Sequence, residues 1–379
     1  MRKTVLAITV NEITNDNRVI NYTNALAKNG YTTFLFSPQT TKEHKATYFF
    51  NSVYIKLLSE RLPSFFMFNY LRLFEFIFKA YKRSKSYQPD IIHANDLKGL
   101  LIASRIKKYI KKDVQIVYDA HEYETEVNGL KGVQKRIYKL LERGLMKYVT
   151  RMITVSDTIA QEYVKLYGIE KPEVLLNVPK FTFPENQEYD LFRQKFKIKS
   201  DQRIFLYQGY LMPGRGIEIL LEAFIGLDYD KDVIVFMGKG SLSDLIKSYQ
   251  KTGRVFFHDF VDPSEYLKYT SSADVGISFI EDISLSDRYC LPNKLFEYIF
   301  CGLPVICSNL PEMKKLVETE KVGIIANSNT VNGFKEAVIE MNSVGLSSFD
   351  KGLLSASKKY SWERQEEKLI ILYGQIRSI

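Results

Sequence analysis

The sequence predicts an α/β protein made of two successive doubly wound domains, and three observations carry that expectation. Short apolar runs alternate with segments of helical periodicity along almost the whole chain. The alternation breaks at 179–189 (PKFTFPENQEY), a polar stretch with two prolines, and then restarts. A length of 379 residues exceeds what one ordinary core organises, so two domains are the default.

Taken in order, TVLAITV (4–10) reads as a strand and 17–29 as a helix ended by Gly30. Strands follow at 31–37 and 52–57, then a helix over 65–86 and a strand at 90–93. The spacing predicts a helix over 97–111, a strand at 114–119, a basic helix over 132–149, a strand at 151–155 and a helix over 157–166. The run VLLNVP (174–179) closes this half. After the linker come a strand at 203–208, a helix ending at 226, a strand at 233–237, a helix over 242–250 and a strand at 254–257. A helix over 263–271, a strand at 274–279, the helix opened by Pro292-Asn293 and a strand at 304–307 follow. The chain ends with a helix at 312–318, a strand at 322–325, a helix over 331–342 and an amphipathic helix from Trp362. Strands alternating with helices at this pitch mean parallel sheets covered on both faces. The predicted boundaries are 1–180 for the first domain, 181–359 for the second and 360–379 for a terminal helix.

Composition narrows the function classes. Hydrophobic content of 45% with 26% charged residues is that of a soluble globular protein, not a disordered one. No run of eighteen apolar residues occurs, and the short apolar run after Met1 has no small-residue cleavage site, which argues against a membrane span or a signal peptide. Cys290, Cys301 and Cys307 sit in apolar surroundings without Cys-x-x-Cys spacing, as reduced packing residues of a cytosolic protein do. Four scattered histidines give no metal-binding pattern. The net charge of +9 and pI near 9.1 favour an acidic partner: a nucleotide, a nucleic acid or an anionic membrane surface. Basic residues gather at 79–85, 105–112 and 131–151, the first directly behind the aromatic run FFMFNYLRLFEFIF (65–78). That pairing suits a helix lying on a membrane interface, and equally a core-packing helix with a solvated basic end.

Ligands of open α/β sheets bind beyond the carboxyl ends of the strands. Four loops and one helix in that position are rich in chemistry. GYLMPGRG (209–216) supplies Gly209, Gly214 and Gly216 for close backbone approach, a helix N-terminus behind them, and Arg215 to pair with phosphate oxygens. GKG (238–240) offers a second, weaker approach through Gly238 and Gly240. YDAHEYETE (118–126) concentrates Asp119, His121, Glu122 and Glu124, where His121 either binds a sugar hydroxyl or closes the strand end. NEITNDNRVIN (11–21) lacks the glycine-rich turn of a dinucleotide site; Asp16 and Arg18 are placed to meet an acceptor, and Asn15 or Asp16 to cap the helix. His93-Ala94-Asn95-Asp96 reads as a strand end and helix cap, and Asp228-Tyr229-Asp230 as a turn. In PNKLFEYIFCGLPV (292–305), Asn293, Lys294 and Glu297 lie three and four apart on one helix face. A cation at a helix N-terminus has the wrong sign for the dipole unless an anion sits in front of it. Glu297 needs hydrogen-bond donors if it is buried, and sugar hydroxyls provide them.

These stretches together resemble the retaining glycosyltransferases of family 4, which have the GT-B fold. The resemblance spans the chain: DNRV, IIHAND, YDAHE, ITVS and LNVP in the first half, then YQGYLMPGRGIEILLEAF, FMGKG, ADVGISF and PNKLFEYIFCGLPVI, and finally YSWERQ at 360–365. It implies two Rossmann-like domains facing across a cleft, an acceptor domain first and a donor domain second, with the last helix crossing back to the first. It also implies transfer with retention, without a metal or other cofactor, from a nucleotide diphosphate sugar, most often UDP-linked. Arg215 corresponds to the basic residue of the diphosphate loop, Glu297 to the glutamate that holds the ribose, and His121 to the histidine near the transferred sugar. Two departures stand out: Tyr210 where an arginine commonly follows the loop glycine, and Tyr289 where many members carry a second glutamate. Such a guanidinium contact is worth ~3 kcal/mol in the transition state, and Lys294 is the substitute at hand. The implied acceptor is a glycan or lipid-linked glycan of cell-surface polysaccharide synthesis, met in the cytoplasm or at the inner face of the membrane, with no nucleic acid partner. A GT-B epimerase acting on the nucleotide sugar, and a catalytically silent nucleotide-sugar-binding subunit, are the competing readings.

Overall fold

Two parallel sheets organise the chain, each alternating with helices. The computed structural model describes residues 2–13, 16–39, 48–59, 66–180, 189–227, 231–262 and 265–376, with the backbone alone at 66–69. The middle of the expected linker and the Asp228-Tyr229-Asp230 turn lie outside the described residues. Two compact units result, Met1–Leu175 with Gln365–Ile379, and Leu176–Arg364.

The first unit runs β1 (Thr4–Ile8), α1 (Asn17–Lys28), β2 (Thr32–Pro38), β3 (Asn51–Ile55), α2 (Phe66–Ser84), β4 (Ile91–Asn95), α3 (Asp96–Tyr109), β5 (Gln115–Asp119), α4 (Gly132–Met146), β6 (Arg151–Thr154), α5 (Asp157–Tyr167) and β7 (Glu173–Val174). Its strands lie in the order β3-β2-β1-β4-β5-β6-β7, every pair parallel. The second unit contains α6 (Leu191–Phe196), β8 (Arg203–Tyr210), α7 (Ile217–Ile225), β9 (Asp232–Lys239), α8 (Ser243–Tyr249), β10 (Val255–His258), α9 (Tyr266–Thr270) and β11 (Val275–Ser278). It continues through α10 (Leu285–Arg288), α11 (Asn293–Phe300), β12 (Val305–Cys307), α12 (Pro311–Glu320), β13 (Gly323–Ile325), α13 (Val331–Val344) and α14 (Asp350–Lys359). The order here is β10-β9-β8-β11-β12-β13, again all parallel. Helix α15 (Trp362–Gly374) returns the chain to the first unit.

An α/β architecture with two parallel sheets, one in each unit, therefore matches the expected fold class. Strand β9 is buried from Asp232 to Gly238, which is why VIVFM reads as a continuous apolar run rather than an alternating one. The order reverses between β1 and β4 and again between β8 and β11. Connections leave such a pair in opposite directions, so each switch point opens a crevice at the carboxyl ends. The last helix docks through Tyr373, fully buried, whose hydroxyl lies 2.7 Å from His93 Nδ1. The Lys3 ammonium adds a 2.7 Å hydrogen bond to the Ile376 carbonyl.

Some elements differ from expectation. The run at 174–179 that closes the first half holds strand structure only at Val174, the end of the two-residue β7. Helices α6 and α10, six and four residues long, are too short to show a period. Helix α14 (DKGLLSASKK) has a glycine and two serines that dilute its helical signal.

Where β8 and β9 leave the sheet, Gly209 pairs with Gly238. A Cβ on Gly238 would sit 1.8 Å from the Gly209 carbonyl oxygen. Backbone cannot yield as a side chain can. Gly238→Ala is expected to cost about 2–3 kcal/mol, read as a lowered denaturation midpoint; an unchanged midpoint would contradict the packing described.

Candidate functional site

At the carboxyl end of the first sheet, charged residues from four segments converge. Arg18 of α1 is only 3% exposed, and its guanidinium donates to both Asp119 oxygens, at 3.0 and 2.7 Å. A third bond, 2.9 Å, reaches the Leu175 carbonyl. Three of the five Arg18 donors are thus engaged inside the unit. Burial alone would raise the Asp119 pKa, but Arg18 and His121 hold it well below the usual carboxylate range.

His121 is held from three sides. Its Nε2 lies 3.1 Å from Asn95 Oδ1 and 3.6 Å from Asp119 Oδ2, and its Nδ1 lies 3.5 Å from Asp96 Oδ1. Burial would lower its pKa; the two aspartates overcome this and raise it to about 9. The ring is therefore an imidazolium at neutral pH. Asp16 caps α1, accepting from the Val19 N–H at 3.1 Å, and burial pushes its carboxyl upward against the pull of His121. The expected capping by the His93–Asp96 stretch is not what the structure shows. Asn95 donates instead to the Ile8 carbonyl (3.1 Å), and Glu124 caps α3 by accepting from the Leu97 N–H (3.1 Å).

The second sheet presents a different balance of charge. Gly214 and Gly216 take positive φ angles of 84° and 68°, and Gly216 stands at the N-cap of α7. A side chain at Gly216 would meet the Phe279 ring at 2.3 Å, so the loop lies close on β11's exit. The Gly216 N–H donates to Glu281 (3.1 Å), and the Glu281 N–H donates to the Gly214 carbonyl (3.1 Å). Arg215 is about one-third exposed, 3.6 Å from Asp287. Tyr210 is exposed, and Gly240 donates its N–H to Ser243 Oγ at 3.2 Å.

Helix α11 points Lys294 and Glu297 toward the end of β8, while Asn293 is exposed in its first turn. Lys294 Nζ stands 3.7 Å from the Tyr207 ring centroid, and no carboxylate pairs with it among the described residues. Burial, then the neighbouring Arg215, lowers its pKa to about 7. Glu297 accepts from Gln208 Nε2 (2.5 Å) through one oxygen and from the Tyr266 hydroxyl (3.0 Å) through the other. Gln208 is itself fixed by the Thr270 hydroxyl at 2.7 Å. Burial raises the Glu297 pKa against these donors. Tyr289, half-buried, closes α10. Sequence reasoning did not single out Gln208, Tyr266, Glu281 or Asp287. Gln208 left one trace, a polar residue closing the apolar strand RIFLYQ.

Lys294 has a consequence for stability. Its folded pKa lies near 7, against 10.5 unfolded, so the unfolded chain binds more protons between those values. Stability then rises with pH across that window, and the cost of the buried ammonium is greatest below pH 7. Lys294→Met is expected to melt above the parent at pH 6, with the gap narrowing as pH rises from 7 toward 10.5. Parallel melting curves at every pH would contradict a desolvated lysine.

Comparison with known proteins fits this geometry. The family profile of Glycosyltransferase Family 4 matches residues 16–177, and that of Glycosyl transferases group 1 matches residues 188–344. A Chitobiosyldiphosphodolichol beta-mannosyltransferase of Candida albicans is 24% identical over 252 residues, covering 61% of this chain and 55% of that protein. The match thus spans about half the length of that relative. An Escherichia coli O-antigen chain mannosyltransferase B is 22% identical over 279 residues, 68% of this chain and 67% of its own. Among solved structures, a sucrose-phosphate synthase of Thermosynechococcus elongatus superposes with a TM-score of 0.77 at 17% identity, covering 99% of both chains. Anabaena HepE in complex with UDP gives 0.73 at 13% identity, over 99% of this chain and 100% of that one. These low identities establish a shared GT-B fold, and the two profiles, one on each unit, establish kinship: the chain belongs to the glycosyltransferases of family 4.

Proposed function

We propose that this protein transfers a glycosyl group, with retention and without a metal, from a nucleotide diphosphate sugar to a hydroxyl of a glycan or lipid-linked glycan. The observation that carries the reading is Lys294, a half-buried lysine that forms no ion pair among the described residues, beside Arg215 and the glycine turn at α7. A diphosphate supplies the missing negative charge. UDP as the nucleotide draws support from the UDP-bound Anabaena neighbour, and a glycan acceptor from the relatives' names.

In this mechanism the acceptor oxygen attacks the anomeric carbon on the face that the diphosphate leaves. The bond from that carbon to the phosphate oxygen breaks as the new glycosidic bond forms, and the acceptor proton passes to the departing diphosphate. Arg215 and Lys294 balance the leaving group's charge, the task a metal performs elsewhere. Glu297, with one donor already on each oxygen, keeps lone pairs for the ribose hydroxyls. In this reading His121 serves the transferred sugar and Asp16 the acceptor, both standing at the carboxyl end of the first sheet.

A membrane surface is the proposed setting. Leu71, Phe74 and Phe78 of α2 and Val133, Ile137 and Leu140 of α4 are exposed large apolar side chains. The two helices are joined by Gln134 donating to the Tyr70 hydroxyl at 3.4 Å. Lys82, Arg83 and Arg143 stand in the last turns of these helices. Apolar residues flanked by cations suit the headgroup region of an anionic bilayer. No helix among the described residues is long and apolar enough to cross it.

Acceptor-dependent release of the nucleotide should fall by two orders of magnitude or more in both Lys294→Ala and Glu297→Ala, about 3 kcal/mol each, and persist in excess EDTA. Release at wild-type rates in those variants, or its loss on chelation, would contradict the proposed chemistry. For the surface, replacing Val133, Ile137 and Leu140 with serine is expected to weaken co-sedimentation with phosphatidylglycerol vesicles at least tenfold. Unchanged vesicle binding, or full activity on a soluble acceptor with no vesicle binding by the parent, would remove the membrane from the account.

A further inference from the structure

Arg215 stands between two glycines in the left-handed region, Gly214 at φ 84° and Gly216 at φ 68°. Glycine loses more conformational freedom on ordering than any other residue, so a cation between two of them is poorly fixed by its own segment. Within the loop the Arg215 N–H donates to the Met212 carbonyl over a long 3.3 Å. The guanidinium is about one-third exposed, with the Asp287 carboxylate 3.6 Å away, beyond hydrogen-bond distance. Asp287 is itself held in place by the Ser284 hydroxyl, which donates to its Oδ2 at 2.6 Å.

Glu281 restrains the loop on both sides of Arg215. Its N–H donates to the Gly214 carbonyl at 3.1 Å, and its Oε1 accepts from the Gly216 N–H at 3.1 Å. Glu281 is well anchored for this task. The Ile280 N–H before it donates to the Ser308 hydroxyl at 2.6 Å, and that hydroxyl donates to the Ile280 carbonyl at 2.8 Å. Ser308 follows β12, is fully buried, and sends its own N–H to the Ser278 carbonyl of β11 at 3.2 Å. A bonded path therefore runs from the ends of β11 and β12 through Ser308 and Ile280 to Glu281, and from Glu281 to the residues on either side of Arg215.

We propose that Glu281 is a positioning residue, which holds Arg215 ready for the diphosphate by clamping the backbone at Gly214 and Gly216. This rests on the nucleotide-sugar reading above. Restraining a residue before its ligand arrives removes an ordering cost from binding, so the clamp strengthens affinity. The Glu281 charge acts in the other direction, because a carboxylate near a bound polyanion repels it. A glutamine would accept the same N–H without that charge. The two effects have opposite signs, so substitution separates them.

The test is calorimetric affinity for UDP, GDP and inorganic pyrophosphate, titrated to millimolar ligand well below each variant's melting point. Glu281→Ala removes acceptor and charge together, and should bind the tightest of the three probes about tenfold more weakly than the parent. Glu281→Gln keeps the acceptor and should bind at least as tightly as the parent. In an Arg215→Ala background, Glu281→Ala should change affinity by less than about twofold, since the residue it acts through is gone. Parental or tighter binding by Glu281→Ala would overturn the assignment, because a neighbouring charge alone gives that sign. Equal weakness of Glu281→Gln and Glu281→Ala would overturn it too, as would a tenfold loss that persists without Arg215. If the parent binds none of the three probes, the nucleotide-sugar reading fails and the assignment falls with it. A binding parent with an unaffected Glu281→Ala removes the assignment alone.

Discussion

An ammonium group packed against an aromatic ring, next to a guanidinium and in no ion pair among the described residues, is the constraint around which the second unit is arranged. The Tyr207 face offers Lys294 a partial counter-charge. That contact does not repay desolvation, and the pKa near 7 records the deficit. Glu297, one turn further along α11, is the nearest candidate to neutralise it, but its oxygens are engaged by Gln208 and Tyr266. The charge is thus left for something that arrives. The positive-φ turn at Gly214 and Gly216 and the Arg215 guanidinium complete a surroundings suited to an anion.

The first unit solves the opposite problem. Its cations are balanced internally: Arg18 forms a two-point pair with Asp119, and His121 sits among Asn95, Asp96 and Asp119. Breaking a buried pair of this kind costs about 3–5 kcal/mol, so the pair holds α1, β5 and the Leu175 carbonyl in one arrangement. The two units share a strand order and differ in charge balance at the carboxyl ends of their sheets.

Much of the fold was legible because parallel sheets leave a strong trace. Apolar runs such as IFLY and VIVFM, separated by helical periods, define the strands, and the glycine-rich loop after RIFLYQ marked the carboxyl end of a central strand of the second sheet. Local spacing also placed Lys294 and Glu297 on one face. Partners distant in the chain were not legible. Arg18 and Asp119 are separated by 101 residues, Gln208 and Glu297 by 89, and no periodicity connects them. For the same reason the cap of α3 was sought in its own segment when Glu124, 27 residues beyond Leu97, provides it. Short helices such as α10 escape a pattern that needs several turns to appear.

The most direct test of the central claim is proton exchange on nucleotide binding. With a pKa near 7, Lys294 is mostly neutral at pH 8.5. A diphosphate beside it would restore the ammonium. Titration calorimetry with UDP at pH 8.5, in two buffers of different ionisation enthalpy, should show uptake of close to one proton. That uptake should be absent in Lys294→Met, which should also bind about tenfold more weakly or worse. Binding without proton uptake, or uptake that survives in Lys294→Met, would show that this lysine is not the group that meets the diphosphate.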